Sequence, residues 1–450
     1  MSDYRRDQPA PRGQLPLSVT SFPPVFHPFT TMKFLPGVSL LLTAVLSASN
    51  SAKTADWTEF RGPTGQGHAE IAGLPVTWNE SQNIAWKVPV PGRGWSSPVV
   101  SDGRIYMTTA VKDGSAGARS LRVLCLNAED GNVVWNQEAF QQRDNDVEVH
   151  RKNSHASPTP ILEGDRLYVH FGPHGTACLK TDGSVVWENQ SLVYAPQHGN
   201  GGSPALADNL LIICCDGRDI RFVVGLDKQT GQQIWRRERD LEAARGFSFS
   251  TPAVVEAAGR SQAICPGSSG VWSYDSQTGE QVWRVSYGEG YSVIPRPVAG
   301  HGLVYVCSGY GDGQLFAIDP AGRGDVTDSH VKWKRKRGVP MSPSLLLVGR
   351  ELYMVSDQGI VSCLDADSGN QYWQERLPGE YSASPVFADG RIYFQNETGV
   401  TTVILPGRKH EKIAENRLGD GKTRTFASFA FVDHAILLRS ETHLYRIQNP

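Results

Sequence analysis

The residues of this chain with chemical potential are few and scattered. Cys214 and Cys215 are adjacent, at the end of the apolar run Leu210-Leu211-Ile212-Ile213. That setting reads as core thiols, because Cys is among the most buried residue types. Cys125, Cys178, Cys265, Cys307 and Cys363 read the same way. Asp216, Asp219 and Asp312 each sit in a Gly-bearing turn where Asp is expected anyway. Arg296 is the sharpest residue. It stands before Pro297, where equivalent segments carry Ser or Thr, so it could clamp a carboxylate or pair with Glu289. Other chemistries lack their patterns. There is no Cys-x-x-Cys or His-Glu-x-x-His for zinc, no Cys-x-x-Cys-His for haem and no Gly-x-Ser-x-Gly elbow. His150-Arg151-Lys152 lacks the Asp of a kinase catalytic loop. No catalytic residue and no metal ligand is assigned.

The elements that position these residues follow from a repeat. Each unit opens on a Ser-Pro-like pair and an apolar strand. A second strand with Tyr follows, then a third ending in a Leu-Asp-x-x-x-Gly-like turn, and a fourth closes on Trp. Trp135, Trp187, Trp235, Trp283, Trp333 and Trp373 close successive units, at spacings of 52, 48, 48, 50 and 40. A period of 40 to 50 with four short strands means a propeller or an array. Asp-Gly, Thr-Gly and Ser-Gly turns supply the positive φ of tight hairpins. A seventh unit has Ile413 where Trp is expected. The eighth ends after three strands, and its missing strand appears at the other end as Asn83–Val90, with Trp86 in the Trp position. The fold expected is all-β: an eight-bladed propeller of four-stranded antiparallel blades over 83–450. An N-terminal strand closes the last blade and removes a sheet edge. Residues 53–82 form an N-terminal extension, in which the segment Trp57–Trp78 either plugs the channel or lies along its side.

Composition narrows the partners. Of 450 residues, 39% are hydrophobic, enough for a sizeable core, and a net charge of −2 argues against nucleic acid. Phe34–Leu46 is an apolar run of 13 residues, too short to span a bilayer. Lys33 precedes it and small residues (47–52) follow, the pattern of a secretory signal over 32–52. Residues 1–31 are Pro-rich and patternless, so translation is expected to start at Met32, the alternative being a long n-region carrying Arg5, Arg6 and Arg12. The mature chain is expected in the periplasm or outside the cell, as a monomer that does not span a membrane. Seven Cys do not make a disulfide scaffold.

The stretches LDKQTGQQIW, YDSQTGEQVW and LDADSGNQYW resemble the Trp-docking repeat of quinoprotein alcohol dehydrogenases. Those enzymes bind pyrroloquinoline quinone (PQQ) on an eight-bladed propeller. The same repeat occurs in non-enzymatic BamB-type assembly propellers and in propellers attached to some bacterial kinases. Phe60–His68 (FRGPTGQGH) resembles the entry segment of PQQ-like exported proteins of planctomycete-type bacteria. The resemblance implies that Trp86 and the six other repeat Trp residues are architecture, docking on the next blade. It also raises the vicinal disulfide of those dehydrogenases for Cys214-Cys215, although their pair lies in a loop rather than a strand. A dehydrogenase would further need a Ca²⁺ site beside a catalytic Asp.

In such a propeller the strand after each Trp strand is innermost. The residues just before it are expected to converge on one mouth of the channel. They are Trp95, Asn153, His155, His198, Asn200, Phe249, Arg296, Met341 and Tyr381. Unlike residues on a repeated scaffold are where ligand recognition is expected. The 139–153 insertion could form a lid or a partner loop. The function expected is an exported, non-catalytic binding or scaffold propeller with no cofactor. It would take a protein, peptide or small ligand at the channel mouth. The alternatives are a PQQ- and calcium-dependent dehydrogenase and a sugar- or peptide-binding sensor.

Overall fold

Burial along the strands shows how the blades stack. In one blade, Glu351–Val355 and Ile360–Asp365 are buried at nearly every residue, whereas the outer strand Gln371–Arg376 is mostly exposed. The middle strands are sandwiched between neighbouring blades, so they read as continuous apolar runs rather than alternating ones. The computed structural model describes residues 56–450 except 115–116, 144–148 and 241. The expected signal segment and upstream region therefore lie outside the described residues.

Eight antiparallel sheets follow one another in chain order as an eight-bladed propeller. Blade 1 comprises Val99–Ser101, Arg104–Lys112, Arg119–Asn127 and Val133–Gln142. Blades 2 to 7 span 161–189, 205–238, 253–286, 298–335, 346–376 and 386–417. Blade 8 combines Ala430–Val432, Ala435–Arg439 and His443–Gln448 with Ile84–Pro89 as its outer strand. The N-terminal strand thus closes the ring as expected. Among the described residues no helix is long and apolar enough to cross a membrane.

The tryptophans join the blades. The indole N–H of Trp135 donates to Thr181 O at 3.0 Å, that of Trp187 to Lys228 O at 3.0 Å and that of Trp373 to Gly407 O at 2.9 Å. Trp86, Trp235, Trp283 and Trp333 donate in the same way to Ala128, Ser276, Pro320 and Ala366. Each acceptor lies in the turn between the third and fourth strands of the following blade. Gly369 in one such turn has φ +71°, and a Cβ there would meet the Trp333 ring at 2.7 Å. The turn needs Gly both for its backbone and for the ring above it.

Blade 7 corrects one sequence expectation. Every outer strand carries a bulge before its Trp, so Trp235 pairs with Gly225 and Trp373 with Cys363. In blade 7 the residue after the bulge is Ala414, paired with Val403, and not Ile413. The physical reason for the missing Trp lies in blade 8. Its third strand ends at Gln448 and its fourth begins at Ile84, so no hairpin turn exists for an indole to dock on. Ala414→Trp should therefore leave stability within about 0.5 kcal/mol of the parent. Denaturant unfolding of both proteins checks this, and a gain above about 1 kcal/mol would contradict the docking explanation.

Candidate functional site

The Ser-Pro-like positions form a ring around the channel. The backbone N–H of Ser97 donates to Thr159 Oγ1 at 2.9 Å, Thr159 N–H to Ser203 Oγ at 2.9 Å, and Ser203 N–H to Thr251 Oγ1 at 3.0 Å. The relay resumes from Arg296 N–H to Ser344 Oγ at 3.0 Å, then Ser344 to Ser384 and Ser384 to Ser428. It is broken at blade 5, where Arg296 has no hydroxyl. Apart from Ser97, whose Oγ accepts no bond among the described residues, these inner-strand hydroxyls are architecture first, because each satisfies a neighbouring blade's buried N–H.

Two residues before each ring position lies a second tier: Trp95, Ser157, Gly201, Phe249, Ile294, Ser342, Ser382 and Phe426. Both tiers, apart from Arg296, line a cavity of about 310 Å³ at the channel mouth. The two-residue step is that of a strand, which returns to the same face every second residue. Of the nine expected mouth residues, Trp95, Asn153, His198 and Phe249 line this cavity. The others lie elsewhere. Tyr381 is buried in the core between blades 6 and 7, and Met341 is likewise one residue out of phase, so Ser382 and Ser342 face the cavity instead. Asn200 packs against Gly172 and accepts the Tyr194 hydroxyl at 2.9 Å. His155 does not belong to the cavity lining. Sequence reading missed Phe426, Phe247, Tyr291, Tyr310 and Lys152. Counting two back from the relay residue finds Phe426; the other four sit in loops with no repeat signal.

Arg296 turns away from the mouth. Its guanidinium donates to Phe60 O at 2.6 Å, to Pro252 O at 3.1 Å and to Glu59 at 3.1 Å, so the expected partner Glu289 is replaced by Glu59. Phe60 belongs to a segment that crosses the channel and forms the cavity floor. Trp57 exchanges backbone hydrogen bonds with Val100 of blade 1, and Gly67 O accepts Phe387 N–H of blade 7. Arg61, fully buried, donates to Leu345 O at 2.6 Å and Pro385 O at 3.3 Å. Burial, with Arg296 nearby, pulls its pKa down to about 9, which still leaves it a cation at neutral pH. The stretch 57–67 therefore plugs the channel. Gly65 passes directly beneath the Arg296 guanidinium, where a Cβ would collide, at φ +66°.

The mouth is aromatic and internally compensated. His150, His198, Phe247 and Phe249 form a chain with ring centroids 5.6, 5.4 and 5.9 Å apart. Tyr291 joins Phe247 at 5.7 Å, and opposite them Trp95 and Phe426 touch at 4.7 Å. His198 holds φ 65°, a backbone region in which a non-glycine residue is noteworthy at a binding site. From the end of the long insertion, Lys152 reaches blade 7 and places Nζ 2.7 Å from Glu397. Burial works against its charge, but Glu397 more than offsets that, and the pKa rises. His150 N–H meanwhile donates to His198 O at 3.2 Å, so this strap roofs part of the cavity. Asp357 is saturated by Ser342 Oγ at 2.6 Å, the N–H groups of Met341 and Ser342, and the Tyr310 hydroxyl.

The comparisons with known proteins bear on this arrangement. A sequence model described as "Outer membrane protein assembly factor BamB" matches residues 68–201, 119–362 and 330–406. The chain belongs to the BamB family. A BamB from Alkalilimnicola ehrlichii is 31% identical over 133 residues, 29% of this chain. The chain spans about a third of that relative, 34% of its length. A BamB from Salmonella typhimurium is 24% identical over 73% of this chain and 80% of its own. Among solved structures, the quinohemoprotein alcohol dehydrogenase of Comamonas testosteroni superposes with TM-score 0.61 at 12% identity, covering 89% of this chain and 82% of that one. That likeness shows the fold alone.

A BamB-family propeller with a dehydrogenase's fold invites a test for PQQ with Ca²⁺. The residues present do not fit that pair. Among the described residues no group of three His, Cys, Asp or Glu could hold a metal. Asp216 is buried in an ion pair with Arg239 at 2.8 Å, Asp219 accepts Ala195 N–H, and Asp312 pairs with Lys336. Cys214 and Cys215 carry no disulfide and lie on opposite faces of their strand: Cys215 packs toward blade 2 and Cys214 toward blade 4.

A half-buried histidine, His155, and a buried one, His170, make stability pH-dependent. Burial, aided by Arg119, His174 and Arg93, lowers His155 to about 4, and burial alone lowers His170 to about 3. Both folded values lie below the unfolded 6.5, so the stabilisation is present above pH 6.5 and is lost as pH falls toward the folded values. At pH 4.5 the His170 contribution should have fallen by about 2 to 3 kcal/mol. Denaturant midpoints at pH 7 and 4.5 should converge for His170→Gln relative to the parent. An identical pH loss in the variant would show that His170 is not the titrating group.

Proposed function

We propose that this chain is an exported, non-catalytic binding propeller that engages a partner or ligand through the channel mouth. The observation that carries the reading is the state of the carboxylates around the cavity. Among the described residues no Asp or Glu lines it, and Asp357 and Glu397 behind the wall are already spent on hydrogen bonds and an ion pair. A carboxylate acting as general base must reach its substrate with a free lone pair. What the cavity does offer is aromatic surface, hydroxyls and a closed floor, which suit recognition. Membership of a family described as an assembly factor supports the same reading. Export rests on the apolar run Phe34–Leu46 and its flanks.

The second reading, a PQQ- and calcium-dependent dehydrogenase, is favoured only by the shared fold. Calorimetric titration of the purified exported chain with PQQ and Ca²⁺ separates the two. The binding reading expects no saturable heat and no dye-linked oxidation of alcohols or sugars. One-to-one binding with a raised melting temperature would establish the dehydrogenase reading instead.

A further inference from the structure

Two features of the mouth cavity remain unused by the fold. The first is a set of hydrogen-bond donors. Thr159, Ser203, Thr251, Ser344, Ser384 and Ser428 line the channel and accept a bond or stand within the relay, yet their hydroxyls donate to no described group. Ser97 Oγ, in a residue 1% exposed, has no partner among the described residues and also lines the cavity. A buried hydroxyl left without a partner costs free energy, so this tier is built to be completed by something in the channel. The second feature is the pair of aromatic walls above it: Trp95 with Phe426 on one side, Phe247, Phe249 and Tyr291 on the other.

The charge balance chooses between ligand classes. Lys152 is the one lysine or arginine among the described lining residues, and Glu397 at 2.7 Å and Glu380 at 3.5 Å already answer it. Among the described residues no aspartate or glutamate belongs to the lining. A polyanion such as a tricarboxylate quinone would be desolvated there without a free cation, which is costly. A cationic ligand would find no free carboxylate. A peptide strand would need rows of backbone partners, whereas the wall supplies hydroxyls and ring faces. An uncharged ring with an apolar C–H face and many oxygens meets both features at once. We infer that the mouth cavity binds a neutral saccharide unit, its C–H face against the aromatic walls and its oxygens accepting from the Ser/Thr tier. This inference rests on the reading that the mouth cavity is the binding site, and it names the ligand class.

The test uses the full exported chain on an array of neutral and acidic oligosaccharides. Calorimetry follows with cellobiose, chitobiose and galactose as neutral probes, glucuronate as the charged one and a short neutral peptide. Neutral probes should bind and perturb Trp95 fluorescence. Phe249→Ala and Tyr291→Leu, two half-buried positions, should each weaken binding about tenfold or more. Two independent variants guard against a fold defect in either, and their melting temperatures should stay near the parent's. If glucuronate or the peptide perturbs Trp95 while neutral sugars are silent, the saccharide class is wrong and the cavity reading survives. If no probe binds and neither variant alters partner binding measured at the mouth, both fall.

Discussion

Replacing Arg296 with methionine should cost about 3 to 5 kcal/mol at neutral pH, because it strands a buried carboxylate. Glu59 is 17% exposed and Arg296 is its ion-pair partner at 3.1 Å. Burial raises the Glu59 pKa, and only the charge and hydrogen bond of Arg296 work against that rise. Without Arg296 the carboxyl would climb further. A carboxyl whose folded value lies above its unfolded one favours the fold at low pH and loses that contribution as pH rises through the folded value. The Arg296→Met penalty should therefore shrink as pH drops toward 4.5. The double variant Glu59→Gln/Arg296→Met should recover most of the loss. Arg296→Ser is the informative control: it offers the relay its missing hydroxyl but no counter-charge, so it should fare no better than methionine. Denaturant unfolding at both pH values reads all four proteins. If Arg296→Ser were as stable as the parent, the residue would be a relay defect rather than the anchor of the channel plug.

A similar loss, about 3 to 5 kcal/mol, is expected for Arg239→Met. Both members of the Asp216–Arg239 pair are essentially inaccessible, at 1% and 0% side-chain exposure. Arg239 also donates to Cys265 O at 2.9 Å and Pro266 O at 3.3 Å and lies over the Trp272 ring at 4.6 Å. It thus ties blade 3 to blade 4 through charge, backbone and ring contacts. Burial pushes Asp216 up even with Arg239 beside it, so removing the cation leaves a carboxyl that must take a proton to stay folded. Asp216→Asn alone should cost less than Arg239→Met, since the guanidinium keeps its two carbonyl acceptors. The Asp216→Asn/Arg239→Met double variant should sit above Arg239→Met alone, and a coupling energy near zero in that cycle would contradict the pairing.

The architecture was legible because it is periodic. Trp spacing, Asp-x-x-x-Gly turns and the three-stranded last unit carry the blade count and the closure, since each serves a local requirement repeated around the ring. What failed was phase and long-range pairing. Tyr381 and Ser382 are neighbours in sequence yet face the core and the cavity, a one-residue distinction that alternation alone does not fix when both faces are buried. At blade 6 the pair Ser342-Pro343 looks like the repeat's signature, but the relay residue is Ser344. Arg296 stood out correctly as an exception, while its partner Glu59 lies 237 residues away. Such a contact depends on the plug's path, which no periodicity encodes. Ala414 shows the converse: the missing Trp was visible, and its cause became clear only with the open end of blade 8.

Binding through the channel mouth, and not along the blade edges, has a direct readout. Site-specific photo-crosslinking in an exporting bacterium tests it most directly. A photoreactive residue would replace His150 or Tyr291 at the mouth, or Ile234, 55% exposed on the outer strand of blade 3. The account predicts a discrete adduct from the two mouth positions that competes away with excess unlabelled protein, and none from Ile234. An adduct from Ile234 with silent mouth positions would contradict it.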